Sequence, residues 1–557
     1  MGSSPDVTLP DVTLPDVTAP DVTVVVAVYN TMPYLTQCLE SLVGQSIGRA
    51  RLEVVAVDDG STDDSGRELD RFAERYPGTV KVLHQENSGG PAAPSNRALE
   101  IATGRFVYFM GSDDYLGEEA LERMVAYADE HESDIVVGKM VGVGGRYVHQ
   151  ALYKRNEPHV GFSDSALPFT LANTKLFRRE LVEKHKLRFP EDMPVGSDQP
   201  FTIEAVVRAS RVSVLADYTC YYAVKRGDSS NITYRADHLA RLRCISDIMR
   251  HAAGLIPAGP ERDAVFHRHF LWELAKLVQH DFPALDAGTR REVCAGVAVL
   301  ADTYLTDGVR DRMDVQRRVR IALAQRGAVE ELARSIEDEA AHGTPPILLE
   351  DGRAYVGYPG FRDGLALPDR VFEILDENAA ARLASGTGYL DGEWEQTGHD
   401  LAVRLAVRTP VIGDTASLTL RPAAKAMPRS ADKPGGRRLP ADAELPAEQG
   451  ETLREPDPDG GGTLLRLTLP LAARRATLGI RVYLVVAGST YEIPVPVRGR
   501  PLPLARRWRQ TLPHRVSATA NGKGRLVVTT APLWEPSSGT LKRVRRILSR
   551  VKRKLSR

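Results

Sequence analysis

Phe106-Val107-Tyr108-Phe109-Met110, followed at once by Gly111-Ser112-Asp113-Asp114, reads as a short buried strand that ends in two adjacent carboxylates. An earlier apolar run, residues 52–57, ends in the same way, in Asp58-Asp59. Strands of one sheet that each deliver paired acids to their C-terminal ends build two acidic clusters at one rim. In open α/β sheets that rim is where ligands bind. Adjacent carboxylates repel unless a cation lies between them, and a hard divalent ion carrying phosphate oxygens is the usual solution. The pattern points to a metal-assisted site for a nucleotide diphosphate.

Working outward, residues 22–28, 52–57, 80–83, 106–110 and 135–137 are short, continuous and rich in β-branched side chains, as buried parallel strands should be. The stretches between them are amphipathic. Leu35, Leu39, Leu42 and Val43 share one helical face, as do Leu69, Phe72, Ala73 and Tyr76, and Leu121, Met124, Val125 and Ala128. This alternation predicts a doubly wound α/β domain over residues 21–233. Residues 234–344 read as a helical connector, with apolar Leu239, Leu242, Ile245 and Ile248 and later Leu271, Leu274 and Leu277. After Gly343-Thr344-Pro345-Pro346 the pattern turns to short alternating strands, such as residues 401–407 and 479–486. One or two β-sandwich domains are expected over residues 345–537, divided near 421–462, where Pro, Gly and charge accumulate.

The two ends are of another character. Residues 5–23 repeat Pro-Asp-Val-Thr four times, so residues 1–20 are expected to form a disordered leader. Residues 538–557 read as a basic amphipathic helix. Leu541, Val544, Leu548, Val551 and Leu555 make one stripe, and nine Lys or Arg fill the other faces. Such a helix suits an anionic membrane surface. The whole chain has 73 basic and 73 acidic residues, so the basic tail leaves the remainder acidic. Cys38, Cys220, Cys244 and Cys294 lack metal-ligand spacing and read as reduced, buried thiols. No apolar run is long enough to span a membrane, and no signal-peptide core is present. The expected location is cytoplasmic, peripheral on the inner face of the plasma membrane. Basic residues lack the interleaved aromatics of single-strand binders, so no nucleic acid is expected as partner. The sequence leaves homo-oligomer formation open.

Val57-Asp58-Asp59-Gly60-Ser61-Thr62-Asp63 reads as strand, turn and helix start. A carboxylate here can accept the ring N–H of a pyrimidine such as uracil, or simply cap the helix from Asp64 onward. Asp198, in Val195-Gly196-Ser197-Asp198-Gln199-Pro200-Phe201, precedes an apolar-periodic segment and reads as an N-cap with Pro200 in the first turn. A helix N-terminus would lower the pKa of that carboxylate and keep it ionised. Lys225 and Arg226 follow a strand and are candidates to offset charge on a departing diphosphate.

The series Val-Ala27-Val-Tyr29-Asn30, then Val-Asp58-Asp59-Gly-Ser-Thr-Asp, then Asn87-Ser-Gly89-Gly-Pro, then Ser112-Asp113-Asp114-Tyr115-Leu116 resembles family-2 glycosyltransferases of the GT-A fold. The resemblance covers residues 21–233, with order and spacing in agreement. It implies a UDP-sugar donor bound by Ala27, Tyr29, Asp59, Asn87, Gly89, Arg97, Ser112, Asp113, Lys225 and Arg226. Tyr29 would stack near the base, Asp59 would accept from uracil, and Asp113 would hold the ribose or metal region. Asp114, with Asp113, would hold Mn²⁺ or Mg²⁺ on the diphosphate, and Asp198 would be the general base of an inverting transfer. Three positions depart from that pattern: Gly111 and Ser197 stand where acids are frequent, and Ser95 where an arginine is common. The transferase–connector–β order, with Asn173-Thr174-Lys175-Leu176-Phe177-Arg178-Arg179 and Phe189-Pro190-Glu191, also resembles the wall-teichoic-acid N-acetylglucosaminyltransferases that decorate poly(ribitol phosphate). That implies N-acetylglucosamine as the sugar and an anionic glycopolymer or other glycan as acceptor. The rival classes are a nucleotidyltransferase and a glycopolymer-binding protein built on a degenerate transferase.

Overall fold

The structure, a computed structural model, describes residues 19–226, 237–375, 379–397, 400–426, 452–470, 476–486, 489–493, 505–509, 512–520 and 526–533. The repeat leader up to residue 18, Asp228 to Asn231, most of the expected 421–462 division, Trp534 and the basic 538–557 helix lie outside the described residues. The chain divides into two units, Met1–Met313 with Leu323–Ala333, and Asp314–Ala322 with Arg334–Arg557.

The first unit is built on an eight-stranded sheet of order β3-β2-β1-β4-β7-β6-β8-β5. Its strands are β1 (Val22–Val28), β2 (Leu52–Asp59), β3 (Val80–Gln85), β4 (Phe106–Gly111), β5 (Tyr115–Leu116), β6 (Ile135–Val143), β7 (Leu176–Arg178) and β8 (Val212–Val224). β3, β2, β1 and β4 run parallel, and β1 and β2 are buried on both faces, as their continuous Val-rich runs require. Helices α1 (Tyr34–Val43), α2 (Ser65–Arg75), α3 (Ala92–Ile101) and α4 (Ala120–Glu130) connect these strands. α4 buries all four of its expected apolar residues, and α1 buries Leu35, Leu39 and Leu42.

Two strand expectations need correction. The strands are not all parallel, because the three-residue β7 lies between β4 and β6, pairs antiparallel with both and makes the sheet mixed. β3 is an edge strand with only Val80 fully buried, since Lys81 and His84 face outward.

Beyond β7 come α5 (Arg179–Lys184), α6 (Asp198–Arg208), α7 (His238–Leu255) and α8 (Pro260–Arg268). α8 continues directly into a π-helical segment, His269–Leu274, and a last turn, Ala275–Leu277. The expected Leu271, Leu274 and Leu277 face is broken there: Leu274 and Leu277 are buried, but Leu271 is only partly so. All four cysteines are free and buried. No helix among the described residues is long and apolar enough to cross a membrane.

The second unit is rich in sheet. Strand Asp400–Thr409 lies between Gly388–Thr397 and Thr463–Pro470, antiparallel to both. Ala476–Val486 is central to a separate antiparallel sheet. Val403, Leu405 and Val407 point inward while Arg404 points out, the alternation expected of sandwich layers.

Candidate active site

Parallel pairing sets the rim. Val28 is level with Asp58, and Ala27 with Gly111, so the turns after β1, β2 and β4 converge at one end of the sheet. Tyr29, directly after β1, is 42% exposed and free to offer its ring face. Asn30 has φ 48° and ties the first two turns together. Its Oδ1 accepts from Thr62 N at 2.8 Å and Asp63 N at 3.2 Å, and its own N–H donates to Ser61 Oγ at 3.1 Å.

Asp58 and Asp59, the last two residues of β2, are buried, and neither caps α2, whose N-cap is Asp64. Asp58 accepts Ser61 N at 3.0 Å and faces His84 Nδ1 at 3.0 Å. Asp59 is 3% exposed and accepts from Gln85 Nε2 at 2.6 Å, Ser88 Oγ at 2.9 Å and Ser88 N at 3.1 Å. Asn87 Nδ2 donates to the Asp59 carbonyl at 2.9 Å, and Asn87 Oδ1 accepts from Gly89 N at 3.0 Å. Gly60, at φ +72°, lets this loop close, because a Cβ there would meet Asn87 N at 2.7 Å. On α3, Arg97 is exposed and Ser95 is buried.

The second acidic pair is held from β8. Asp114 accepts Tyr221 Oη–H at 2.5 Å and Val224 N at 2.7 Å, and Asp113 pairs with Arg226 Nε at 2.6 Å. Ser112 is buried beside them. The structure brings Arg226 to the acids, whereas Lys225 is exposed. Burial first, and then the charge of Asp113, push the Asp114 carboxyl up to about 6, against Tyr221 and Val224. A cation between the two would relieve that repulsion. The two carboxylates fit Mg²⁺ or Mn²⁺, ions that keep several waters and bind through one or two carboxylates plus phosphate oxygens. Among the described residues no group of three or more His, Cys, Asp or Glu is placed to cage a metal.

Asp198 is the first residue of α6, with Ser197 as N-cap and Pro200 two residues further in, so it is not itself the cap. Its pKa is raised, not lowered as the helix N-terminus suggested. Burial dominates, opposed by Arg268, by its own backbone N–H and by Lys175, with Glu273 adding to the rise. α6 is joined to β4 by an aromatic cluster. Phe109 meets Phe201 edge-on at 5.3 Å and Phe189 at 5.1 Å, and Phe189 stacks on Phe201 at 4.3 Å. One packed unit thus fixes the strand that leads into Asp113-Asp114 against the helix that starts at Asp198. Asn96 of α3 holds the approach to α6, exchanging hydrogen bonds with the Phe189 backbone and donating to Glu191 at 2.8 Å.

Four residues escaped the sequence reading. Tyr221 lies in the same run as Lys225 and Arg226 but was given no role of its own, and it is buried and bonded to Asp114. Lys175 is 1% exposed, donates to Thr170 O at 2.5 Å and to Ala172 O, and is pulled down to about 7 by burial. Arg268 and Glu273 come from the helical connector and pair at 2.8 Å. An apolar neighbourhood around a charged residue was the available signal for Lys175, since Leu176 and Phe177 follow it.

The curled, mixed sheet with helices between its strands is a GT-A-like fold. Residues 23–189 match the model of Glycosyl transferase family 2, and residues 236–336 match that of the Glycosyl transferase TarS linker domain. The chain is 41% identical over 212 residues to the poly(ribitol-phosphate) beta-glucosyltransferase of Bacillus spizizenii, covering 38% of this chain and 33% of that protein. It is 41% identical over 203 residues to the poly(ribitol-phosphate) beta-N-acetylglucosaminyltransferase TarS of Staphylococcus aureus, covering 36% and 35%. The chain thus spans about a third of the length of the curated relatives it matches. Among solved structures, S. aureus TarS 1–349 in complex with UDP-GlcNAc is similar over 61% of this chain and 97% of its own, with TM-score 0.54 and 28% identity. A crystal structure of S. aureus TarS is similar over 92% and 86%, with TM-score 0.56 at 20% identity, a likeness of fold.

Proposed function

We propose that this chain is an inverting, metal-dependent hexosyltransferase. It moves N-acetylglucosamine from UDP-N-acetylglucosamine to a hydroxyl of an anionic polyol-phosphate glycopolymer of the teichoic-acid kind. The observation that carries the reading is a separation of duties between two carboxylate sites of the first unit. A paired-acid site at the end of β4 suits a metal-bound diphosphate, and a distinct, partly buried carboxylate begins α6. The names of the relatives supply the donor and acceptor classes.

In this reading the acceptor oxygen attacks the anomeric carbon, its proton passes to the Asp198 carboxylate, and the bond from carbon to the UDP oxygen breaks. A pKa raised by burial suits a base working near neutrality. Tyr29 would offer a face to the uracil, and Asp59 would accept its ring N–H. Asp113 and Asp114 would hold Mn²⁺ or Mg²⁺, which would act as a Lewis acid on the leaving diphosphate. Arg226 would turn from Asp113 toward the phosphates.

The test is transfer from radiolabelled UDP-N-acetylglucosamine to poly(ribitol phosphate), with Asp198→Asn alongside. Asp198→Asn is expected to bind UDP within a few-fold of wild type and to lose roughly 10²–10⁴ in transfer. Binding of donor and polymer without transfer by the wild-type chain would favour the glycopolymer-binding rival.

A further inference from the structure

Arg268 is a buried cation with an unmet hydrogen-bonding group. It is 7% exposed, its Nη1 donates to Gln199 Oε1 at 2.7 Å, and its Nη2 reaches Glu273 Oε1 at 2.8 Å. Nε is buried with no partner among the described residues, and the guanidinium carbon lies 5.7 Å from the Trp272 ring. Gln199 follows Asp198 in the first turn of α6, so the contact ends one residue from the carboxylate. Arg268 sits where α8 passes into the π-helical segment, and such segments recur at functional positions.

The other groups facing Asp198 are few. Lys175 comes from the loop before β7, and Glu273 comes from the π-helical segment, where His269 faces Gln199. His269 is buried with its pKa lowered to about 4, so its neutral ring has one N–H to share between Val265 O and Gln199 Oε1. On the preceding loop Glu191 is taken by Asn96, and Asp192 lines the neighbouring cleft with Pro200.

We propose that Arg268 is a positioning residue for the Asp198 carboxylate. Anchored by Glu273 and bridged through Gln199 to the first turn of α6, it fixes a positive charge behind the base, so that the helical connector completes the active site. The inference rests on the reading of Asp198 as general base.

The experiment is the pH profile of kcat/KM in the full-length chain, with UDP-N-acetylglucosamine and poly(ribitol phosphate). Losing the positive charge should make Asp198 harder to ionise, so Arg268→Met should move the acidic limb up by about one pH unit, while KM for the donor stays within about twofold. Arg268→Lys should restore most of the profile. Glu273→Gln removes a negative charge and should move the limb the other way. Opposite displacements cannot come from general loosening, and if Arg268→Met fails to fold, the other two variants still decide. An acidic limb that stays fixed, or moves in one direction for both charge changes, overturns the proposal. Asp198→Asn in parallel separates the two ideas: retained turnover removes the base reading and this proposal with it. An inactive Asp198→Asn with an unmoved limb removes only the role of Arg268.

Discussion

Tyr221 Oη donates to Asp114 Oδ2 at 2.5 Å while accepting the N–H of Gly111 at 3.1 Å. One hydroxyl therefore clamps both ends of the turn that carries the second acidic pair. Burial, and then the charge of Asp114, hold its own pKa well above the usual phenol range, so it remains a donor at any working pH. The clamp explains how two like charges are kept side by side at the end of β4 before any cation arrives.

Tyr221→Phe removes the clamp without changing the ring. It leaves the Gly111 N–H without its acceptor and Asp114 with one donor fewer, which should cost about 1–3 kcal/mol of stability. Chemical denaturation of both proteins measures it. UDP binding in Mn²⁺ should also weaken, and unaltered stability together with unaltered binding would show that the hydroxyl has no such part.

Asp114 should oppose stability at neutral pH. A carboxyl whose folded pKa of about 6 lies above its ordinary value holds its proton more tightly when folded. Its favourable contribution is present below about pH 4 and is lost as pH rises through about 6. Asp114→Asn should therefore gain on wild type between those limits, by about 1 kcal/mol after allowing for its poorer match to two donors. With UDP and Mn²⁺ the order should reverse, because only wild type gains from binding. Melting temperatures across pH, with and without UDP and metal, check both halves, and equal UDP stabilisation of wild type in excess chelator would remove the metal from the site.

Gly111 stands where the family resemblance leads one to expect an acid, and introducing one should not help. A Cβ at 111 would lie 3.0 Å from both Asp113 Oδ1 and Asp114 Oδ2. Gly111→Asp would add a third negative charge to a cramped, partly buried pair. The expected outcome is a lower melting temperature and weaker Mn²⁺-dependent UDP binding. Tighter binding would mean that the turn can open to accept a third ligand.

How much of this was legible follows from where each partner lies along the chain. The acidic pairs could be read because each closes a continuous apolar strand. The helix start at Asp198 could be read because a glycine and a serine precede it and an apolar period follows. Arg268 and Glu273 could not, since they reach α6 from about 70 residues away and look like the charged side of an amphipathic helix. Their five-residue spacing places them on different faces of an α-helix, and only the π-helical segment between them turns them together. β7 was missed for a different reason: three residues are too few to show a period, though they decide that β6 and β4 are not neighbours. The rise in the pKa of Asp198 was unreadable as well, because the helix terminus is local while the burial that outweighs it is tertiary.

The last prediction concerns truncation after Thr344. Such a chain keeps every described residue of the first unit, including the sheet, α6 and the π-helical segment that carries Arg268 and Glu273. It should fold and bind UDP with Mn²⁺ as the full chain does, within about twofold. The cost should fall on residues 314–322, which belong to the second unit. There Arg318 donates to the Glu373 carbonyl, and Glu339, which bonds Arg320 at 2.8 Å, also takes Tyr358 Oη–H at 3.0 Å. Both Glu373 and Tyr358 are lost in the truncated chain, so Arg318 and Glu339 each lose a hydrogen bond. Hydrogen exchange should therefore quicken over residues 314–322 while α6 and β4 remain protected to the same degree. A truncated chain whose β4 exchanges freely, or which no longer binds UDP, would place the boundary of the catalytic unit beyond residue 344.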